Sequence, residues 1–271
     1  MIADPSPSTI RSVPIDDGEV TVARWDPPAT TGRSNSTDPA DPAEIILLHD
    51  GLGSISQWRS IPAEVAARTG KPVLAYDRPG HGHSTPVPTG AWPADWLHRE
   101  ADRFARLRPA LNLTAEPMVV GHSDGGSIGL LHAAAGDPMR GLLTLAAHSW
   151  VEQTCYDAIV GMRANAESIV RGLGRDHPHP AAVFEAWSGV WVSEEFRPWD
   201  IRPMLSAVSC PTVVAQGWND EYAAPAHAEE TAAAIGDSGE CRMLDGVGHL
   251  LHHEDPALVV DVIVELDRQW S

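Results

Sequence analysis

The sequence has few of the residues that characterise disulfide-rich, nucleic-acid-binding or membrane proteins. Its 271 residues include only three cysteines, and these are widely separated and odd in number, so we predict reduced thiols and not a disulfide framework. Basic residues are scarce, since 19 Lys+Arg stand against 37 Asp+Glu for a formal net charge of −18. This acidity argues against nucleic acid and anionic membrane surfaces as partners.

Long hydrophobic runs are absent as well. No apolar stretch approaches the length of a membrane span, and the first residues have neither the basic region nor the apolar stretch of a secretory signal. Together with the reduced thiols, these absences predict a cytoplasmic protein. The hydrophobic fraction of 43% is enough for one large core, or for a core domain with an insertion.

Short apolar runs alternate with helical segments along most of the chain. Because strands and helices alternate, we predict an α/β fold with a mostly parallel, doubly wound sheet that binds ligands beyond the carboxyl ends of its strands. Residues 26–42 are rich in Pro, Thr, Ser and Asp and are predicted to form a surface loop. The predicted strands are 20–25, 44–49, 72–76, 118–120, 142–146, 212–217 and 241–244, and the predicted helices are 56–69, 93–111, 126–135, 225–235 and 256–269.

The alternation stops between residues 150 and 208. We predict that 150–208 forms a helical cap inserted between strands 6 and 7 of the sheet. The core domain would then consist of 13–149 and 209–271, preceded by a flexible N-terminus at 1–12. Within the cap, the predicted helices are 156–170 and 181–192.

A Gly-x-Ser-x-Gly pattern at 121–125 is the most informative motif of the chain. It follows a β-branched run and leads into a helical segment, so a strand would deliver Ser123 to the carboxyl edge of the sheet. Gly121 and Gly125 leave room for the backbones of strand and helix to approach each other around a strained serine. Ser123 is therefore our candidate nucleophile.

Two later residues complete the candidate active site. A serine nucleophile needs a histidine base, and the histidine needs a carboxylate that fixes its tautomer. Asp220 and His249 each follow a predicted strand, so both are expected on loops at the same edge of the sheet as Ser123. Glu221 and Glu152 are rival candidates for the acid.

These motifs resemble those of the α/β-hydrolase superfamily over nearly the whole chain after residue 18. The chain order Ser, Asp, His is also the order of that superfamily. The resemblance implies an oxyanion hole formed by the amides of Gly51 and Asp124, with Leu52 as an alternative to Gly51, and a structural role for His49. The matching segments are His49-Asp50-Gly51-Leu52-Gly53-Ser54 with Trp58, Tyr76-Asp77-Arg78-Pro79-Gly80-His81-Gly82-His83-Ser84, the serine motif, the Gly-x-x-Asp that ends at Asp220, and Gly248-His249 followed by Glu254 and Pro256.

Three positions bear on the activity that this resemblance implies. Asp50 stands where the family usually has a glycine, and a carboxylate so near a developing oxyanion opposes the chemistry unless it is neutralised. We therefore predict an ion pair between Asp50 and Arg78. Ser123 stands where haloalkane dehalogenases and epoxide hydrolases of this fold have an aspartate, which argues against both of these activities. His122 precedes it, whereas carbon–carbon hydrolases commonly have Asn at that position.

Tryptophan is over-represented among the aromatic residues, with ten Trp against three Phe and three Tyr. Several lie in or beside the predicted cap, and Trp187 and Trp191 are four residues apart on one helix face. We predict that Trp58, Trp150, Trp187 and Trp191, together with Leu52, contact the substrate in an apolar pocket.

Other charged and histidine residues carry no predicted role in the site. Arg163, Arg171 and Arg175 are interpreted as a solvated helix face. Three histidine pairs lie in turn-rich segments without the cysteines or regular carboxylate spacing of a metal site, so we predict no metal. These pairs are His81 and His83, His177 and His179, and His252 and His253.

The sequence therefore predicts a serine hydrolase with a small-molecule substrate and no cofactor. The expected substrate is a small, neutral, partly apolar ester, lactone or thioester, cleaved through an acyl-enzyme. One alternative is a carbon–carbon hydrolase, or a lyase or cyclase, with the same three residues. Another is a non-hydrolysing small-molecule receptor on the same fold. The acyl and leaving groups and the oligomeric state are left open.

Overall fold

The computed structural model describes residues 6–28, 41–86 and 90–271. Residues 1–5 of the predicted N-terminus and 29–40 of the predicted loop lie outside the described residues. Within the described ranges, no helix combines the length and the apolarity needed to cross a membrane.

In the described part of the chain, eight strands form one sheet in the order β1-β2-β4-β3-β5-β6-β7-β8. β1 and β2 are antiparallel to each other, and β2 is antiparallel to β4; the remaining neighbours pair in parallel. The predicted mostly parallel α/β sheet is therefore confirmed. The strands are β1 Thr9–Ile15, β2 Gly18–Trp25, β3 Ala43–Leu48, β4 Val73–Tyr76, β5 Leu113–His122, β6 Gly141–Leu145, β7 Thr212–Gly217 and β8 Gly239–Leu244.

Helices cover both faces of the sheet. In β3, Ile46 and Leu48 join one buried apolar cluster, whereas Ile45 and Leu47 join the other, because successive side chains of a strand point to opposite faces. α1 and α9 pack on the second face, and α2, α3 and α7 on the first. The helices are α1 Ile61–Thr69, α2 Trp96–Leu111, α3 Asp124–Ala134, α4 Gln153–Ala164, α5 Ala166–Leu173, α6 Pro180–Trp191, α7 Pro225–Ile235, α8 Leu251–Glu254 and α9 Pro256–Gln269, with 3₁₀ turns at Ile55–Trp58 and Arg202–Ala207.

Three helices, α4 to α6, are inserted between β6 and β7, as the sequence predicts. The expected single helix at 156–170 is two helices, α4 and α5, which meet at Asn165. The backbone of Asn165 has φ −113° and ψ 21°, which is not helical, and its side-chain amide donates to the carbonyl of Gly161. A single non-helical residue therefore interrupts the helix within this segment.

The prediction of a flexible N-terminus is wrong for residues 9–12. These residues belong to β1, in which Ser12 pairs with Thr21 and Val13 with Val20. Four consecutive side chains at the start of β1 are exposed, so the segment lacks the alternation that signals a half-buried strand. Backbone pairing with β2, and not side-chain burial, orders it.

Candidate active site

A sharp turn between β5 and α3 presents Ser123. Its backbone has φ 50° and ψ −118°, a conformation that costs a non-glycine residue free energy. A Cβ atom on Gly121 would lie 2.3 Å from the carbonyl oxygen of Gly125, and one on Gly125 would lie 2.1 Å from the carbonyl oxygen of Leu48. Both glycines are therefore required by close backbone approach, and the Ser123 amide is anchored by donating to Leu145 O at 2.8 Å.

Ser123, His249 and Asp220 form one hydrogen-bonded line at the carboxyl edge of the sheet. The Ser123 Oγ lies 3.1 Å from His249 Nε2, and His249 Nδ1 lies 3.0 and 3.1 Å from the two oxygens of Asp220. Since a carboxylate only accepts, Nδ1 carries the proton and Nε2 is free to accept from the hydroxyl. Burial alone would lower the pKa of His249, but the hydrogen bond to Asp220 and the charge of that carboxylate raise it.

Neither rival carboxylate contacts the His249 ring. Glu221 accepts from the backbone amide of His249 at 3.2 Å. Glu152 lies 3.0 Å from His227 Nδ1 and accepts from the amide of Ala224. Of the three candidate acids, only Asp220 is in position to orient the imidazole.

The resemblance implies that the backbone amides of Gly51 and Asp124 form the oxyanion hole. Among the described residues, the amides of Gly51 and Asp124 have no hydrogen-bond acceptor, as expected for Asp124 at the first position of α3. The Leu52 amide, the alternative to Gly51, already donates to Asp50 Oδ1 at 2.8 Å. This geometry favours Gly51 over Leu52 as the second donor.

The loop after β3, residues 49–54, is held by histidine and arginine side chains; we call it the β3 loop. His49 accepts from the amide of Arg78 and lies 2.8 Å from the carbonyl of Asp50. His81 and His177 lie 3.0 and 2.9 Å from the carbonyls of Gly51 and Leu52. His177 precedes α6, so the inserted helices are tied to this loop.

The predicted ion pair between Asp50 and Arg78 is wrong. The Arg78 guanidinium donates to the backbone carbonyls of His49 and Asp50. The Asp50 carboxylate turns the other way, with Oδ2 3.3 Å from His122 Nδ1. Arg78 therefore braces the β3 loop through its main chain, because the carbonyls face it and the side chain of Asp50 does not.

Asp50 is a buried carboxylate that retains its charge. Burial opposes ionisation, yet the hydrogen bond from His122 and the charge of that ring hold the pKa of Asp50 well below its usual range. Asp50, His122 and His252 also have ligand atoms within 4.8 Å of one another, which is a spacing that could hold a metal ion. In this group, the close approach of Asp50 to His122 is explained by their hydrogen bond.

Asp124 is the second buried carboxylate beside Ser123. Its Oδ2 accepts from the indole Nε1 of Trp187 at 2.8 Å, and both atoms pack against Gly51, where a Cβ would lie 1.9 Å from Nε1. Burial raises the pKa of Asp124 to about 7. Trp187, on inserted helix α6, is thereby fixed directly above the nucleophile turn.

A cavity of about 220 Å³ opens onto Ser123. Among the residues that the structure describes, no lysine or arginine lines it, whereas Asp50, Asp124 and Glu221 do. Its apolar wall is formed mainly by Leu52, Ile159, Met162, Trp187, Trp191 and Leu250.

Two of the five predicted substrate contacts are wrong. Trp58 is 2% exposed and packs within the apolar cluster on the other face of the sheet, beside His252. Trp150 stacks on His227 at 3.6 Å and is covered by Arg202. Both indoles are occupied by packing against other side chains, whereas Trp187, Trp191 and Leu52 line the cavity.

Sequence reasoning missed several cavity residues. On α4, three of them recur at helical spacing, and this periodicity was the available signal: Cys155, Ile159 and Met162. His148 and Tyr222 also line the cavity, but they lie in irregular segments and no local pattern marks them.

The three arginines interpreted as a solvated helix face do not line the cavity. Arg163 binds Ser188 and Glu185, Arg171 binds Glu167, and Arg175 donates to the carbonyl of Gly172. The three cysteines form no disulfide.

Comparison with known proteins agrees with this geometry. The family model described as "Alpha/beta hydrolase family" matches residues 45–262. The chain therefore belongs to the α/β hydrolase family.

Individual relatives differ in the activities that they are named for. A 2-succinyl-6-hydroxy-2,4-cyclohexadiene-1-carboxylate synthase of Salmonella agona (strain SL483) is 26% identical, over 83% of this chain and 93% of that protein. The proline iminopeptidase structure from Mycobacterium smegmatis has a TM-score of 0.71 at 22% identity, covering 97% of this chain and 98% of the other. A thermophilic esterase structure from Thermogutta terrifontis has a TM-score of 0.68 at 22% identity, covering 97% and 99%. The structural likeness shows the shared fold.

The close approach at the serine turn makes a prediction about stability. Gly125→Ala should lower the free energy of unfolding by about 2 kcal/mol or more, because the added methyl meets the backbone of Leu48. Gly161→Ala, in α4 with no atom within 4 Å of the added methyl, is the matched control and should be stabilising by about 0.5–1 kcal/mol. Urea unfolding measures both, and equal effects at the two sites would contradict the packing described here.

The raised pKa of Asp124 makes a prediction about pH. The folded state keeps a proton that the unfolded state loses, so wild-type stability should fall as the pH rises from about 4 through about 7. Asp124→Asn removes this dependence and should raise the melting temperature more at about pH 8 than at about pH 5. Exposed Asp237→Asn is the control; a pH-independent difference between Asp124→Asn and wild type would contradict the assignment.

Proposed function

We propose that the protein is a serine hydrolase that cleaves small, neutral, partly apolar esters, lactones or thioesters. The observation that carries the proposal is the hydrogen-bonded line from Asp220 through His249 to Ser123 at the floor of a cavity. A serine hydroxyl becomes an effective nucleophile when an oriented imidazole accepts its proton.

In the proposed reaction, Ser123 Oγ attacks the carbonyl carbon while its proton passes to His249 Nε2. Asp220 stabilises the imidazolium, and the amides of Gly51 and Asp124 bind the negative carbonyl oxygen. His249 then gives the proton to the leaving group, and an acyl-enzyme remains on Ser123. Water, deprotonated by His249, attacks the acyl carbon and releases the acid and the free serine.

The charge of the cavity supports a neutral substrate. Three carboxylates line it, and no lysine or arginine among the described residues does. The name of the Salmonella relative's product includes a carboxylate, and none of the described residues that line this cavity is a lysine or arginine that could bind such an anion. The charge pattern therefore favours hydrolysis of neutral carbonyl compounds over that synthesis.

The role of Ser123 is tested by substitution. Ser123→Ala should reduce hydrolysis of short p-nitrophenyl esters by about 10⁴-fold or more and should abolish labelling by a fluorophosphonate. Equal turnover by the wild type and Ser123→Ala would contradict the proposal.

The same assay separates the alternatives. A wild type that binds esters without labelling or turnover would indicate the receptor. Cleavage of a β-diketone, but not of an aryl ester, would indicate a carbon–carbon hydrolase. Faster turnover of a succinyl ester than of the matched neutral ester would contradict the charge argument.

The raised pKa of His249 makes a prediction about the pH profile. Only the neutral imidazole accepts the serine proton, so kcat/KM should fall as the pH drops through that pKa, with the acid limb at a higher pH than an ordinary histidine would give. Asp220→Asn should lower kcat by about 10⁴-fold, because the imidazole loses the group that holds its tautomer. Glu152→Gln, on the rival acid, should leave both the rate and the profile unchanged; the reverse ranking would assign the acid to Glu152.

A further inference from the structure

We propose that Asp50 and His122 form a buried ion pair that holds the β3 loop in register with the loop that carries His249. Both would be positioning residues, because neither contacts the reacting atoms. The inference rests on the proposed hydrolase function and assigns a role to the residue that departs from the family's usual glycine.

The hydrogen bonds of His122 identify its charge state. Its Nε2 lies 2.8 Å from the carbonyl oxygen of His249, which only accepts, so Nε2 carries a proton. Its Nδ1 lies 3.3 Å from Asp50 Oδ2. Asp50 Oδ1 accepts from the Leu52 amide, as a carboxylate does. With both ring nitrogens facing acceptors, a protonated ring satisfies every contact.

The position of His122 makes this pair mechanically important. His122 is the last residue of β5 and directly precedes Ser123. Its ring binds the main chain of His249 on one side and the side chain of Asp50 on the other. The nucleophile, the base and the β3 loop, which carries the Gly51 amide, are therefore joined through one imidazole.

Burial makes the pair sensitive to loss of either partner. The side chains of His122 and Asp50 are 1% and 11% exposed. A charge left alone in such a site is costly, whereas removal of both charges is far less so. The pair also neutralises a carboxylate that would otherwise repel the oxyanion formed beside Gly51.

A double-mutant cycle tests the proposal. Asp50→Asn and His122→Gln should each lower kcat by about 10- to 100-fold with little change in KM, because the oxyanion donor and the base are no longer held in the correct relative position. The double variant should be no slower than the slower single variant, since the two residues act as a unit. Rates are divided by the fraction of sites that a fluorophosphonate labels, which corrects for misfolded protein.

The matched control is a second histidine–aspartate pair. Its histidine lies near the C-terminal end of α3, and its aspartate lies in the segment that follows α3. His132 Nδ1 lies 3.1 Å from Asp137, away from the cavity. Asp137→Asn should leave kcat per labelled site unchanged.

The outcomes are distinguishable. A pair that only stabilises the fold would lower the melting temperature and the labelled fraction but not kcat per labelled site, and this result would overturn the inference. Multiplicative effects of the two substitutions in the double variant would overturn it as well. So would the finding that purified wild type contains one equivalent of zinc and that purified His122→Gln does not. A wild type without labelling or turnover would overturn the hydrolase proposal itself, and this inference with it.

Discussion

The close approach of β5 and α3 is the constraint on which the rest of the site depends. Gly121 lets the end of β5 approach the start of α3, and Gly125 lets α3 approach the end of β3, at points where no Cβ fits. This packing holds Ser123 in a conformation that an unconstrained serine would leave. With the serine fixed, its hydroxyl faces the edge where the loops after β7 and β8 arrive. On these loops, His249 contacts the Ser123 hydroxyl and Asp220 contacts the His249 ring.

Around this turn, the protein buries several negative charges and compensates each one differently. Asp220 faces the His249 ring, Asp50 faces His122, and Asp124 accepts from the Trp187 indole. Asp124 holds its proton near neutral pH, because a neutral indole donor does not offset burial of a charge. The cavity is acidic without being repulsive to neutral molecules, which is the basis for the proposed substrate class.

Among the described residues, seven of the eight strands and the position of the helical insertion could be predicted from the sequence, because local periodicity and apolar runs indicate them. The failures share a cause. β1 is ordered by pairing with β2, so its exposed side chains gave no signal. The positions of Trp58 near the β3 loop and of Trp150 at the start of the insertion predict substrate contact, but each indole is covered by neighbours that are distant in sequence.

The sequence by itself determined the residue types and their order: a serine between glycines, then an aspartate and a histidine, each after a strand. These features are local, and local composition decides them. The tertiary structure alone decided which groups face each other. Arg78 donates to main-chain carbonyls, the His122 ring contacts the Asp50 carboxylate, and the Leu52 amide donates to Asp50. These contacts could not be predicted, because the direction of a side chain depends on how separate loops pack against one another.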